Sequence, residues 1–176
     1  MFRTIFTAFA LLCPIANSTA EPPADLVVRN GKVLTVDAKF TTAEAVAIRD
    51  GVIVKVGTDA EIKPLIGDKT RVIDARGKSV IPGLIESHVH AINVGRGEVI
   101  GPEQKVSRED ALRMMTIDAA YLSFDEKKKG SIEVGKLGDL AVLADDFLTC
   151  DEDRITHIKV VATVVGGKVV YEAKAK

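Results

Sequence analysis

His88-Val89-His90 is the segment of this chain best suited to chemistry. On an extended strand side chains alternate between faces, so His88 and His90 point the same way and can share one metal ion. Imidazole nitrogen suits zinc, and also copper, iron and nickel. Glu86 falls on the same face, where it could hydrogen-bond a ligand or stay solvated. Taken alone, the pair fits two surface residues better than two ligands, and its context has to decide.

The remaining candidates are weaker. His157 lies in a C-terminal β-type region and reads as a polar residue at a strand start. Cys150 reads as a small apolar residue, with no histidine near it in sequence. Met115 falls at helical spacing with Leu112 and Ala119, and the methionines Met114 and Met115 read as core filler rather than ligands. The chain carries no Gly-x-Ser-x-Gly elbow, phosphate-binding loop or Cys-x-x-Cys pair.

The elements that would position the histidines are mostly strands. Leu26-Val27-Val28 and Lys32–Val36 flank Asn30-Gly31, a strong short hairpin signal. Glu44–Arg49 and Val52–Val56 flank Asp50-Gly51 in the same way. Arg71–Ala75 follows, then a turn at Arg76-Gly77 and the run Ser79-Val80-Ile81, stopped by Pro82-Gly83. After Gly101 the pattern changes. Ser107 is an N-cap before Arg108-Glu109-Asp110, and Leu112, Met115, Ala119 and Leu122 recur at helical spacing, so one helix is expected over 107–122. Strands return at Asp139–Leu143, Ile158–Val165 and Lys168–Tyr171, the last two joined by Gly166-Gly167. The expected fold class is mainly β with one or two helices, dominated by antiparallel hairpins.

The first twenty residues have the order of a secretory signal peptide. Arg3 is the sole charge before Glu21, an apolar run from Ile5 to Leu12 follows it, and Ser18-Thr19-Ala20 gives small residues for cleavage. That run is too short to span a membrane. Secretion or periplasmic export is expected, with cleavage near Ala20 leaving one domain over residues 21–176 and Cys150 without an internal disulfide partner. Losing one base and no acid takes the net charge from −1 to −2. This balance offers no footprint for nucleic acid or for an anionic membrane surface.

The stretch Gly77-Lys78-Ser79-Val80-Ile81-Pro82-Gly83-Leu84-Ile85-Glu86-Ser87-His88-Val89-His90 resembles the amidohydrolase superfamily, in particular its branch similar to N-substituted formamide deformylases. Gly101-Pro102-Glu103-Gln104 and Gly130-Ser131-Ile132-Glu133-Val134-Gly135-Lys136-Leu137-Gly138-Asp139-Leu140-Ala141-Val142-Leu143 resemble two C-terminal family stretches in the right order. Glu86 stands where the family pattern has Asp, and Gly138 where it has Ala. The resemblance implies a composite β-sandwich made by the two ends of the chain, here 24–81 and 139–171. It also implies metal-dependent hydrolysis of carbon–nitrogen bonds other than peptide bonds. His88 and His90 would be ligands for a divalent metal, zinc by resemblance, delivered by the first strand of a (β/α)₈ barrel, here 82–90.

That barrel takes about 250 residues and rarely fewer than 200. Between His90 and Gly101 the chain has only the stretch Ala91 to Ile100. Catalytic zinc uses three protein ligands plus water, and two histidines on one strand fall short of that. The expectation is a truncated family member, inactive by itself, with a face left uncovered that invites self-association or a complementing barrel polypeptide. The alternative is a non-enzymatic sandwich acting as an interaction or weak metal-binding module.

Overall fold

Leu26-Val27-Val28 is apolar on both faces of a strand, and such a run must be covered from both sides. The computed structural model, which describes residues 21–85 and 106–174, shows how. β1 (Leu26–Arg29) is an inner strand of a four-stranded sheet, with β4 (Ala45–Arg49), β5 (Val52–Gly57) and β6 (Arg71–Asp74), in the order β5-β4-β1-β6. Leu26 and Val28 face inward with Val46, Ile48 and Ile73, while Val27, Ala45 and Ala47 face outward. That outer face is closed by Ile62 of α1 (Asp59–Ile62) and Leu65 of the 3-10 turn Lys63–Leu65. Thr58 starts α1 with a capping box: its hydroxyl accepts from the Glu61 amide, and Glu61 accepts from the Thr58 amide.

The second sheet has six strands in the order β10-β9-β8-β7-β2-β3. β2 (Lys32–Leu34), β3 (Thr42–Ala43) and β7 (Ser79–Pro82) come from the N-terminal half. β8 (Leu140–Leu143), β9 (Val160–Val165) and β10 (Lys168–Glu172) come from the C-terminal half. The halves meet where β7 and β8 run antiparallel, with Val80 opposite Val142 and Ile81 opposite Ala141. The composite sandwich expected from the two chain ends is therefore the observed fold, and no closed barrel is present among the described residues. Its inner core draws on both halves, from Val28, Val33, Ile48 and Val80 to Ile132, Leu140, Val142 and Val164.

The outer face of the second sheet is covered by helices. Leu34, Ile81, Ala141 and Leu143 pack with Leu112 of α2 (Arg108–Met114) and with Phe147. The single helix expected over 107–122 is instead two, α2 and α3 (Ile117–Leu122), broken at Thr116. Thr116 is fully buried, and its hydroxyl donates to the Leu112 carbonyl at 2.6 Å. The chain at Gly130 presses on the break: a Cβ there would lie 2.9 Å from the Ile117 Cα. A hydroxyl bonded back into the preceding turn and a crowding backbone both favour a bend.

One expected hairpin is corrected. Asn30-Gly31 does not pair β1 with β2, because these strands lie in different sheets, and the turn expected at Arg76-Gly77 is present but likewise separates β6 from β7. Each turn is a corner between the sheets, so β1 runs parallel to β6 and β2 parallel to β7. The corners stack on one another: the Gly77 amide donates to the Asn30 carbonyl at 2.7 Å, and the Asn30 side chain donates to Asp74 at 3.0 Å. The hairpins at Asp50-Gly51 and Gly166-Gly167 are as expected, with all four residues at positive φ. The strand expected from Ile158 starts later: the 3-10 helix Glu152–His157 precedes it, and β9 begins at Val160.

Candidate metal segment at the end of β7

β7 is buried along its whole length and lies between β2 and β8, so it fixes the direction in which the chain leaves the sandwich. Beyond Pro82, the Gly83 amide donates to the Asp139 carbonyl at 2.8 Å, and the Ile85 amide donates to the Met115 carbonyl at 2.9 Å. Residues 83–85 are thus held between the start of β8 and the end of α2. Glu86, His88 and His90 lie outside the described residues. Among the described residues no group of three or more His, Cys, Asp or Glu side chains converges as a metal site.

A cleft of about 500 Å³ opens where the chain leaves β7, lined by Gly83, Leu84, Lys129, Asp139, Thr163 and Val165 among others. Leu84 is half exposed, and it also borders a smaller apolar crevice with Leu112, Phe147 and Ile158. The rim is therefore apolar, with one lysine and one aspartate. Asp139 already accepts from the Gly166 amide at 2.6 Å, and Lys129 pairs with Asp125 at 3.2 Å.

Carboxylates at both ends of β7 act as braces, Asp37 and Glu133 toward the end where the chain exits and Asp146 at the opposite end, beside Ser79. Asp37 sits in the loop after β2, the parallel neighbour of β7. Partial burial pushes its carboxyl up, but hydrogen bonds from the Thr41 amide and hydroxyl, the Lys39 amide and the Thr35 hydroxyl outweigh that and hold it below the usual range. Arg113 reaches from α2 to the Asp37 carbonyl at 2.9 Å and lies 5.1 Å over the Phe40 ring. Glu133 is lowered chiefly by the Ser131 hydroxyl, against partial burial, with further help from Lys136 at 3.0 Å. Asp146 is raised by burial and lowered further by Lys32 at 2.6 Å, the Thr149 hydroxyl and the Leu148 amide, for a net lowering.

His157 is exposed at the end of its 3-10 helix. Cys150 is partly exposed, with the Arg108 guanidinium 3.7 Å from its sulfur. Neither joins the β7 end. Sequence alone gives no sign of the Ser131–Glu133–Lys136 brace, because the motif that contains it does not say which side chains turn toward one another.

Residues 93–171 match the family model described as the amidohydrolase family. The chain is 41% identical over 112 residues to LONG AFTER FAR-RED 3 of Arabidopsis thaliana, covering 64% of this chain and 18% of that protein. It is 41% identical over 66 residues to the N-substituted formamide deformylase of Arthrobacter pascens, covering 38% and 12%. This chain belongs to the amidohydrolase superfamily. It is also 40% identical over 84 residues to adenine deaminase 1 of Latilactobacillus sakei, covering 48% and 14%. The chain spans less than a fifth of the length of these curated relatives. Among solved structures, a Bifidobacterium longum protein ascribed a prolidase role superposes with a TM-score of 0.57, covering 86% of this chain and 95% of that one, at 11% identity. That likeness concerns the fold alone.

Proposed function

We propose that this chain is a barrel-less amidohydrolase: a composite sandwich that presents His88 and His90 as two ligands for a divalent metal, zinc in our reading, and that does not hydrolyse substrate by itself. One observation carries the reading. β7 and β8 close the sandwich directly, with 20 residues, 86–105, joining the described halves, where a (β/α)₈ barrel needs about 250.

In a complete relative the chemistry would be hydrolysis of a non-peptide carbon–nitrogen bond, in keeping with the deformylase and deaminase names of the relatives. A bound divalent metal supplies Lewis acidity and lowers the pKa of its water toward neutrality. Here the donor set does not fit that task. Two imidazoles leave a catalytic zinc at least one protein ligand short. Asp37, Glu133 and Asp139, carboxylates toward the end where the chain leaves β7, each already accept hydrogen bonds within the fold. Residues 1–20 fit a cleaved leader, which would deliver the sandwich outside the cytoplasm. Among the described residues no helix is long and apolar enough to cross a membrane.

Metal analysis tests the ligand assignment. Purified chain dialysed against limiting zinc is expected to retain it weakly, and a His88→Ala, His90→Ala double variant to lose that retention. Equal zinc content in the two proteins would contradict the assignment.

A further inference from the structure

We propose that the open edge of β6 takes up an extended, acidic segment of another protein by strand addition. The sheets end in β5 and β6 on one side of the sandwich, and in β10 and β3 on the other. Exposed strand edges are normally guarded, because their free backbone groups invite pairing. β3 is only two residues long, and β10 shifts register between Val169 and Tyr171. β5 is met at its start by Leu137, which bridges to Val52, and its register shifts opposite Ala47 and Ile48. Among the described residues β6 has none of these guards. It pairs with β1 without a register shift from Arg71 to Asp74.

The ladder fixes which backbone groups are free. The Arg71 amide donates to the Asp25 carbonyl and the Ala75 amide to the Arg29 carbonyl, both at 2.9 Å on the β1 side. In a parallel pair alternate residues bond the neighbouring strand, so the amides and carbonyls of Val72 and Asp74 face away from β1. Among the described residues no hydrogen bond engages them. Beside them runs a groove of about 330 Å³, walled on its far side by Val161 and Ala162. An incoming strand can therefore bond Val72 and Asp74 while its alternate side chains rest on that apolar wall.

Charge names the occupant. Arg76, Lys78 and Lys174 line the same groove, and no ion pair engages them among the described residues. The carboxylates of the groove are committed already. Glu172 pairs with Arg71 at 2.6 Å, and Asp74 accepts from the Asn30 side chain and the Arg76 amide. Uncommitted cations thus gather at one strand edge of a chain whose net charge is −1. Carboxylates on the incoming strand complement them, which sets both the partner and its register. The groove lies at the corner before β7, away from the exit that leads to the histidine pair.

A fluorescein-labelled peptide alternating aspartate and valine is the probe, read by anisotropy against the purified full chain. Saturable binding is expected, and about tenfold weaker binding to an Arg76→Glu, Lys78→Glu, Lys174→Glu triple variant. Two further peptides are N-methylated on alternate amides, one on its aspartates and one on its valines, and keep every charge. Strand addition uses a single row of amides, so one of these is expected to bind and the other to fail. Val72→Pro removes an edge-facing amide that β1 does not use, and should weaken binding with the circular dichroism unchanged. Should that variant misfold, the methylated peptides carry the backbone test. No saturable binding below about 1 mM would overturn the proposal. So would equal binding of a lysine–valine peptide, or equal behaviour of the two methylated peptides. A dimer of the full chain that Val72→Pro abolishes would assign the edge to a second copy and overturn it too.

Discussion

A methyl group at Gly138 would come within 2.8 Å of two carbons of Ile48. Gly138 starts the approach to β8, Ile48 belongs to β4 of the other sheet, and the Gly138 amide bonds the Gly51 carbonyl at the β4–β5 turn. Gly167 crowds the same isoleucine, with its own Cβ position 2.9 Å away. The family pattern has alanine at position 138, so this chain pairs a missing methyl with a filled isoleucine pocket.

Gly138→Ala is accordingly expected to destabilise the fold by about 1–3 kcal/mol through overpacking. The cost should shrink when Ile48 is also cut to alanine, and urea denaturation of the four proteins of that double-mutant cycle measures the coupling. Additive effects would show that the two positions do not compete for space.

Phe124 has the opposite problem. It is 86% exposed and held at φ 58, a left-handed conformation with no burial to offset it. Phe124→Gly should stabilise the chain by about 0.5–1 kcal/mol, since the strained conformation costs glycine little. A lowered melting temperature for this variant would mean the ring is bound in a way its exposure does not suggest.

The sequence was a good guide wherever local signals decide the outcome. Asp50-Gly51 and Gly166-Gly167 accept positive φ and sit between runs that pair with each other. Asn30-Gly31 and Arg76-Gly77 look alike locally, yet there the chain turns a corner into the other sheet. What separates the cases is a long-range relation, the stacking of one corner on the other through Gly77 and Asn30, 47 residues apart. The helix break at Thr116 was hidden for a similar reason, because apolar periodicity runs straight through it and the crowding comes from Gly130. Of the candidate site, the histidine pair was legible as a motif, while the braces around Asp37 and Glu133 depend on which side chains converge.

Those braces carry a pH dependence. The carboxyls of Asp37, Asp146 and Glu133 sit lower in the folded chain than their usual values. A lowered folded-state pKa contributes stability that is complete above the unfolded value, near pH 4 to 4.5, and is lost as pH falls through the folded value. Stability should therefore be flat from about pH 7 to 5 and fall below about pH 4. Asp37→Asn should flatten part of that fall, and denaturant midpoints across this range check it.

The Ser107 hydroxyl accepts from the Asp110 amide at 3.0 Å and so starts the helix whose other end holds Ile85. Ser107→Ala should cost about 1 kcal/mol of stability. Hydrogen exchange is expected to rise in α2 and at the Ile85 amide together, because the two share the Met115 carbonyl contact.

The most direct test of the whole account is steady-state hydrolysis by the zinc-loaded, purified chain, with an N-formyl amide and an aminopurine as substrates. The two-ligand, barrel-less reading predicts no rate above that of zinc with denatured protein. Turnover that depends on metal and disappears in the His88→Ala, His90→Ala variant, while that variant keeps its fold, would contradict it.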